Sequence, residues 1–157
     1  MRSSGFTLIE LVAIIILLGV LTATVGPRFV GRSGFAEYAL RDQIISILRF
    51  TQQRAMYDHS GNCYSVVIDG AVNTGSIQAQ RNGAAINSDY NLDLNGDYSG
   101  LGVDSQTIFF DGLGNAYQNA CPPTATAVAL ATATTISITQ GEALALRVHP
   151  TGYVERL

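Results

Sequence analysis

The sequence contains no lysine and no tryptophan, and it has only four prolines, two cysteines and two histidines among 157 residues. Its nine basic residues, all arginine, are scattered along the chain and face twelve acidic ones, for a net charge of −3. Nucleic-acid binding requires a basic surface, so this balance argues against nucleic acid as the main partner. No CxxC, GxSxG or HExxH pattern accompanies the few cysteines and histidines, and we therefore expect no enzymatic activity.

What the sequence does contain is a long apolar run at residues 6–25, which Glu10 alone interrupts with a charge. As a helix, these 20 residues would span about 30 Å, the thickness of a bilayer core. The run is longer than the apolar part of a secretory signal peptide, and no A-x-A cleavage pattern closes it. Arg2 precedes it, so we expect a transmembrane helix with a cytoplasmic leader and the rest of the chain outside.

Glu10 is the unusual residue of this run. A charge at the centre of a membrane helix costs about 2.5–3.5 kcal/mol, although a position near one end costs less. One interpretation is a tolerated edge residue at the helix start, where the helix dipole favours an anion. The alternative is a docking acid that seeks a positive partner, such as a free amino terminus at Phe6.

The hexapeptide GFTLIE at residues 5–10, between a short charged leader and the apolar run, resembles the signal of type IV prepilins and type II secretion pseudopilins. The resemblance implies that a prepilin peptidase cuts after Gly5 and methylates the new amino terminus at Phe6. It also implies that Glu10 neutralises the amino terminus of a neighbouring subunit during assembly. The implied partners are other pilins in a helical filament, the peptidase and an inner-membrane assembly platform.

Residues 26–34 contain Pro27 and three glycines, which weaken a helix. Proline removes one backbone hydrogen bond and clashes with the preceding turn, so we predict a kinked connector at Pro27. The alternative is a plain linker between the membrane segment and a domain. Over residues 35–60 helical spacing returns, and Glu37 precedes Arg41 at the spacing of a helical ion pair. An apolar stripe that we assign to the core consists of Leu40, Ile44, Ile47, Leu48, Thr51 and Ala55. We expect this helix to end near 58–61, with Gly61 as a left-handed cap.

Residues 61–157 read as strands and turns. We predict strands at 63–69, 76–81 and 107–111, and a turn at 112–115. The even-numbered positions Val128, Leu130, Ile136 and Ile138 would share one face of a single strand, with a break near Ala133 as the alternative. The residues Leu144, Leu146 and Val148 alternate in the same way. A helix followed by antiparallel strands predicts an α+β fold, and the resemblance implies a long amino-terminal helix packed on the sheet.

The stretch RFTQQRAM at residues 49–56, with the later FFDGLGNA and HPTGYV, is also similar to one pilin subgroup. This subgroup includes the H-type pseudopilins and the minor pilins of mannose-sensitive haemagglutinin (MSHA) pili. The two cysteines and RFTQQRAM favour the minor pilin. We therefore expect an inner-membrane, single-pass protein with a periplasmic domain that enters an extracellular pilus or a periplasmic pseudopilus. The remaining alternative is a membrane-anchored binding protein unrelated to pili.

Cys63 and Cys121 are 58 positions apart. Export to an oxidising compartment would favour their pairing, which would stabilise the domain by about 3–4 kcal/mol in the loop-entropy model. The alternative is two free thiols.

Oxygen-bearing side chains alternate at Asn91, Asp93, Asn95 and Asp97, as in a calcium loop. However, Gly102 occupies the position where the loop needs a bidentate glutamate. A polar surface loop is therefore the competing interpretation, and we assign no metal or other cofactor beyond this weak calcium candidate.

Overall fold

A computed structural model of the protein describes residues 7–25, 33–139 and 144–157. The chain divides into two compact units, Met1–Ser33 and Gly34–Leu157. In the first unit the structure describes one helix, α1, which extends from Leu8 to Val25. The second unit combines a helix with antiparallel strands, so the α+β prediction is confirmed for the described residues.

Helix α2 extends from Ser33 to Tyr57. All six residues of the predicted apolar stripe are buried, and Ile45 is buried beside them. The helix therefore forms because one of its faces is covered by the sheets, as the spacing predicts. It begins two residues before the predicted start at 35 and ends before Asp58.

Asp58 explains the early end of α2. Its Oδ1 atom accepts a hydrogen bond from the backbone amide of Ser60 at 2.8 Å, a local bond that competes with helix continuation. Gly61 does adopt the left-handed conformation, with φ of 74°. It lies several residues beyond the helix end and is therefore part of the connection to the first strand rather than an immediate cap.

The predicted ion pair between Glu37 and Arg41 is absent from the described part of the chain. Glu37 is only 2% exposed, because it continues the buried row three and seven residues before Leu40 and Ile44. Arg41 instead donates to the backbone oxygen of Leu157 at 3.1 Å, and its Nε lies 3.8 Å from Asp42. The spacing of Glu37 from Leu40 and Ile44 is therefore that of the buried face, and its spacing from Arg41 does not lead to an ion pair.

Within the described ranges, the larger sheet contains seven strands in the order β3-β2-β1-β6-β7-β8, with β4 also pairing with β2. In its centre Val66 lies opposite Ala79 on one side and Ile108 on the other, and all three are buried. The strands are β1 (Tyr64–Asp69), β2 (Ser76–Arg81), β3 (Ala84–Ala85), β4 (Asn91–Asp93), β6 (Gln106–Phe110), β7 (Ala116–Gln118) and β8 (Val128–Ala129). All three strands predicted for this sheet are therefore present, β2 at the predicted bounds and β1 and β6 within one residue of them.

A second sheet of four strands has the order β11-β10-β9-β5. Its strands are β5 (Gly102–Val103), β9 (Thr134–Thr139), β10 (Leu144–Val148) and β11 (Val154–Arg156). Leu144 pairs with Ile138 and Leu146 with Ile136, so the predicted alternation places these residues on one buried face. One cluster of buried apolar side chains contains residues of α2 and of both sheets. The second unit therefore has one continuous core.

The prediction of a single strand through residues 128–138 is wrong. Val128 belongs to β8 in the larger sheet and is 51% exposed, whereas Ile136 belongs to β9 in the smaller sheet and is fully buried. The break near Ala133, which was the alternative, separates the two. Even-numbered residues lie on the same face only as long as one strand continues without a break. Here the chain leaves the larger sheet after β8 and enters the smaller sheet at β9, so the alternation does not carry over.

Candidate functional site

Helix α1 carries apolar side chains around its whole circumference. Every side chain described in it, from Leu8 to Val20, is exposed. Burying one such leucine, isoleucine or valine is worth about 1.5–3 kcal/mol. A helix that is apolar on all sides therefore requires an apolar environment from outside its own unit.

The start of α1 is organised by Thr7 and Glu10. The backbone amide of Glu10 donates to the backbone oxygen of Thr7 at 3.1 Å, and the Thr7 hydroxyl oxygen lies 3.4 Å from the same amide. This arrangement is typical of an N-cap threonine, with Glu10 at the third helical position. The pattern T-x-x-E is a capping signature that sequence reasoning missed, and it predicts a local role for Glu10 at the helix start beside the predicted docking role.

The carboxylate of Glu10 is exposed in the first turn of α1, and it forms no ion pair within the described ranges. The position is favourable for an anion because the amide groups at a helix start carry partial positive charge. The local geometry can therefore hold a negative charge at one end of an apolar helix and leave it open to an external cation.

The other residues of the predicted processing and hinge sites cannot be placed. Gly5, Phe6 and Pro27 lie outside the described residues. The cleavage and methylation site and the kink at Pro27 therefore stay predictions.

The disulfide between Cys63 and Cys121 is present, as predicted, with the two Cα atoms 5.6 Å apart. It joins the residue before β1 to the connection between β7 and β8. The backbone amide of Cys63 also donates to Asn82 Oδ1 at 2.8 Å, and Asn82 Nδ2 donates to Asn62 Oδ1 at 2.7 Å. The covalent bond and these hydrogen bonds together hold three surface segments at one end of the larger sheet.

The calcium candidate is divided between a strand and a turn. Asn91 and Asp93 lie in β4, which pairs with β2, whereas Asp97 lies in a short 3₁₀ turn that begins after Asn95. A calcium loop instead wraps its oxygen ligands around one point. Among the described residues, no group of three or more histidine, cysteine, aspartate or glutamate side chains is placed to hold a metal ion.

The two histidines lie in separate surface settings. His59 follows the end of α2 and contacts the backbone oxygen of Tyr57 at 3.2 Å. His149 lies 3.1 Å from Glu155, which also lies 3.7 Å from Arg147. Neither contact involves a serine or cysteine nucleophile, so we assign both histidines to surface networks.

Comparison with protein-family models, with curated proteins and with solved structures finds no match to this chain. In the part of the chain that the structure describes, no helix combines the length and the apolarity needed to cross a membrane.

Proposed function

We propose that the chain is an assembly subunit of the type IV pilin class. The observation that carries this proposal is the combination of GFTLIE at residues 5–10 with a helix that is apolar on every side and has an exposed acid in its first turn. The α+β unit with its buried helix α2 is compatible with a pilin-like fold, which is part of the proposal.

Within that class, we propose a minor pilin of an MSHA-type pilus. Support comes from the similarity of RFTQQRAM at 49–56 and of the turns FFDGLGNA and HPTGYV to that subgroup. The second candidate is an H-type pseudopilin of type II secretion, which would use the same chemistry with different partners. Isolation of the partner pilins by pull-down, or the identity of the neighbouring genes, would separate the two.

In the proposed mechanism, the precursor resides in the inner membrane with residues 61–157 in the periplasm. The membrane position rests on the sequence of residues 6–25 alone. Prepilin peptidase removes residues 1–5, and Phe6 becomes a methylated amino terminus. The apolar segment then leaves the lipid and packs against other subunits on the assembly platform.

The driving force for this step differs from that of ordinary folding. Lipid is already as apolar as a helix bundle, so moving α1 from lipid to its neighbours gains little hydrophobic free energy. A polar contact must therefore select the correct partner and register. The pairing of Glu10 with the terminal amine of a neighbouring subunit would provide it, because an anion and a cation that meet in a dry environment interact more strongly than in water.

The first test is the mass of the mature chain after co-expression with a prepilin peptidase. We expect a start at N-methylated Phe6, and we expect Gly5→Leu to block processing. Retention of residues 1–5 in a cell with an active peptidase would contradict the proposal and favour a membrane-anchored protein of another class.

The second test separates docking from local capping at Glu10. We expect Glu10→Ala to leave membrane insertion intact but to prevent incorporation into filaments. Thr7→Ala is the matched control, because it removes the capping hydroxyl and keeps the charge. Equal loss of incorporation in both variants would assign Glu10 to the helix cap and refute docking.

A further inference from the structure

A cavity of about 230 Å³ opens at one corner of the second unit. Two arginines contribute to it, Arg54 from α2 and Arg81 from the end of β2. The remaining lining residues are Tyr64, Ala84, Ala85 and Ile86. The cavity therefore combines two guanidinium groups with a phenol and a small apolar wall.

Neither guanidinium has a carboxylate partner in the described part of the chain. Arg54 lies over the ring of Phe50, with Cζ 5.3 Å from the ring centroid, and Arg81 lines the cavity together with Tyr64. Asp58 is close to Tyr64, but its oxygens already accept hydrogen bonds from Tyr64, Asn62 and Ser60. Guanidinium groups bind carboxylates through paired hydrogen bonds, so this cavity is suited to a carboxylate from outside the subunit.

Unpartnered acids occur elsewhere on the same chain. Residues 82–146 contain no basic residue at all, although they contain five aspartates and one glutamate. Asp93 at the end of β4 and Asp97 in the following turn are both exposed. Their carboxylates have no hydrogen bond or ion pair among the residues that the structure describes, whereas Asp104 and Asp111 accept backbone hydrogen bonds.

Strand β2 fixes the distance between the arginine cavity and the exposed aspartates. Arg81 lies at one end of β2 opposite Ala84, and Ser76 lies at the other end opposite Asp93. Strands β3 and β4 both pair with the side of β2 that faces away from β1, so the base and the acid lie along one sheet margin. Five residue steps along a strand cover about 17 Å, which is beyond the reach of an ion pair and beyond the roughly 8 Å screening length at physiological salt.

We propose that the cavity around Arg54 and Arg81 binds the carboxylate of Asp93 or Asp97 from a second copy of this chain. The inference rests on the proposed assembly function and adds the contact by which the second units align. The two contact surfaces differ, so the contact is head-to-tail when each surface pairs with a different neighbour, and repetition then extends a filament or closes a ring. Reciprocal pairing of both surfaces between two copies would give a closed dimer instead, and the proposed assembly function favours the head-to-tail arrangement.

The size and the polarity of the cavity favour an aspartate side chain as its occupant. At about 230 Å³, it is smaller than the roughly 300–1,000 Å³ that is usual for small-molecule sites, but it can admit an aspartate side chain. Ion pairs at a protein surface are individually weak in water. The contact therefore selects the partner surface and the direction of stacking rather than supplying a large binding free energy.

The absence of lysine makes a direct test possible. In the full-length Arg81→Lys chain in membranes, the introduced side chain is the only lysine amine, and a carbodiimide joins it to a carboxylate that it contacts. We expect a multimer band whose digest links the peptide containing position 81 to the peptide containing Asp93 and Asp97. The matched control is Arg147→Lys, which should give a link within one chain to Glu155, its neighbour at 3.7 Å.

A link from position 81 only to Asp58 of the same chain, or to a different protein, would overturn the inference. The mass of the amino terminus in the same sample tests the proposed function separately. An intermolecular link in a chain that keeps residues 1–5 would support the contact and contradict the pilin proposal. Correct processing without the intermolecular link would support the pilin proposal and contradict the contact.

Charge reversal provides an independent measurement in chains whose Cys63–Cys121 disulfide is intact. We expect Arg54→Glu with Arg81→Glu to lower the multimer fraction about fivefold, as expected for the loss of a surface pair. Adding Asp93→Arg and Asp97→Arg should restore it. An unchanged multimer fraction after the first exchange, or no recovery after the second, would refute the contact.

Discussion

Helices α1 and α2 place their apolar side chains in opposite ways. In α1 the described side chains are all exposed, whereas α2 buries one face in a core that it shares with both sheets. Their glutamates also differ, because Glu10 is exposed on the apolar helix and Glu37 is buried on the amphipathic one. The second unit thus supplies its own apolar partner, whereas the described side chains of α1 have none within their own unit.

If the second unit is held together from within, the largest loss of stability should follow removal of its disulfide. For a loop of 58 residues, the entropy model gives about 4 kcal/mol. We expect Cys63→Ser with Cys121→Ser to lower the free energy of unfolding of this unit by that order. Urea titration of the full-length chain in detergent, followed by tyrosine fluorescence, measures it. No change would mean that the loop between β7 and β8 is held without the covalent bond.

A pair of leucine substitutions compares the two helices directly. Leu48 in α2 is fully buried, and Leu48→Ala should cost about 2–5 kcal/mol because it leaves a cavity. Leu17 in α1 is 63% exposed, so Leu17→Ala should change unfolding of the second unit by less than about 0.5 kcal/mol. The same urea titration reports both values, and similar losses would show that α1 contributes to the core.

The buried acid of α2 should be a cost to stability. The Glu37 side chain is 2% exposed, and it has no hydrogen bond or ion pair with another side chain in the described ranges. A polar group that loses water without gaining a hydrogen bond is unfavourable. We expect Glu37→Met to raise the free energy of unfolding by about 1 kcal/mol or more. Glu10→Gln, the control on α1, should leave it unchanged. Destabilisation by Glu37→Met would show that the carboxylate has a stabilising partner.

The smallest effect concerns Asp58, just beyond the end of α2. The hydrogen bond from Tyr64 is the main cause that holds the pKa of Asp58 well below its usual value, followed by those from Asn62 and Ser60. Its contribution to stability is therefore complete above about pH 4, near the pKa in the unfolded chain, and is lost as the pH falls toward the pKa in the folded chain.

Tyr64→Phe tests this assignment. It should raise the pKa of Asp58 but not fully restore the ordinary value, because two of the donors remain. Carboxylate titration by NMR measures the change. An unaltered pKa of Asp58 would show that Tyr64 is not the main cause.

The features that sequence could predict are those with a single periodic pattern and one burial environment. The buried stripe of α2, the bounds of β2 and the alternation in β10 all meet that condition. Strands of two or three residues, such as β3, β5 and β8, are too short to show any period, so the division into two sheets could not be predicted. The Arg54–Arg81 cavity was missed because it joins residues of α2 and β2 that only the tertiary fold brings together.

The brevity of the outer strands has a consequence for the way in which two copies of this chain can meet. In the described part of the chain, each sheet ends in strands of only two or three residues: β3, β4 and β8 in the larger sheet and β5 and β11 in the smaller one. A strand this short offers few free amide and carbonyl groups for pairing with another molecule, which limits amyloid-like growth. If copies of this chain associate as proposed, they should do so through side chains rather than through shared backbone ladders.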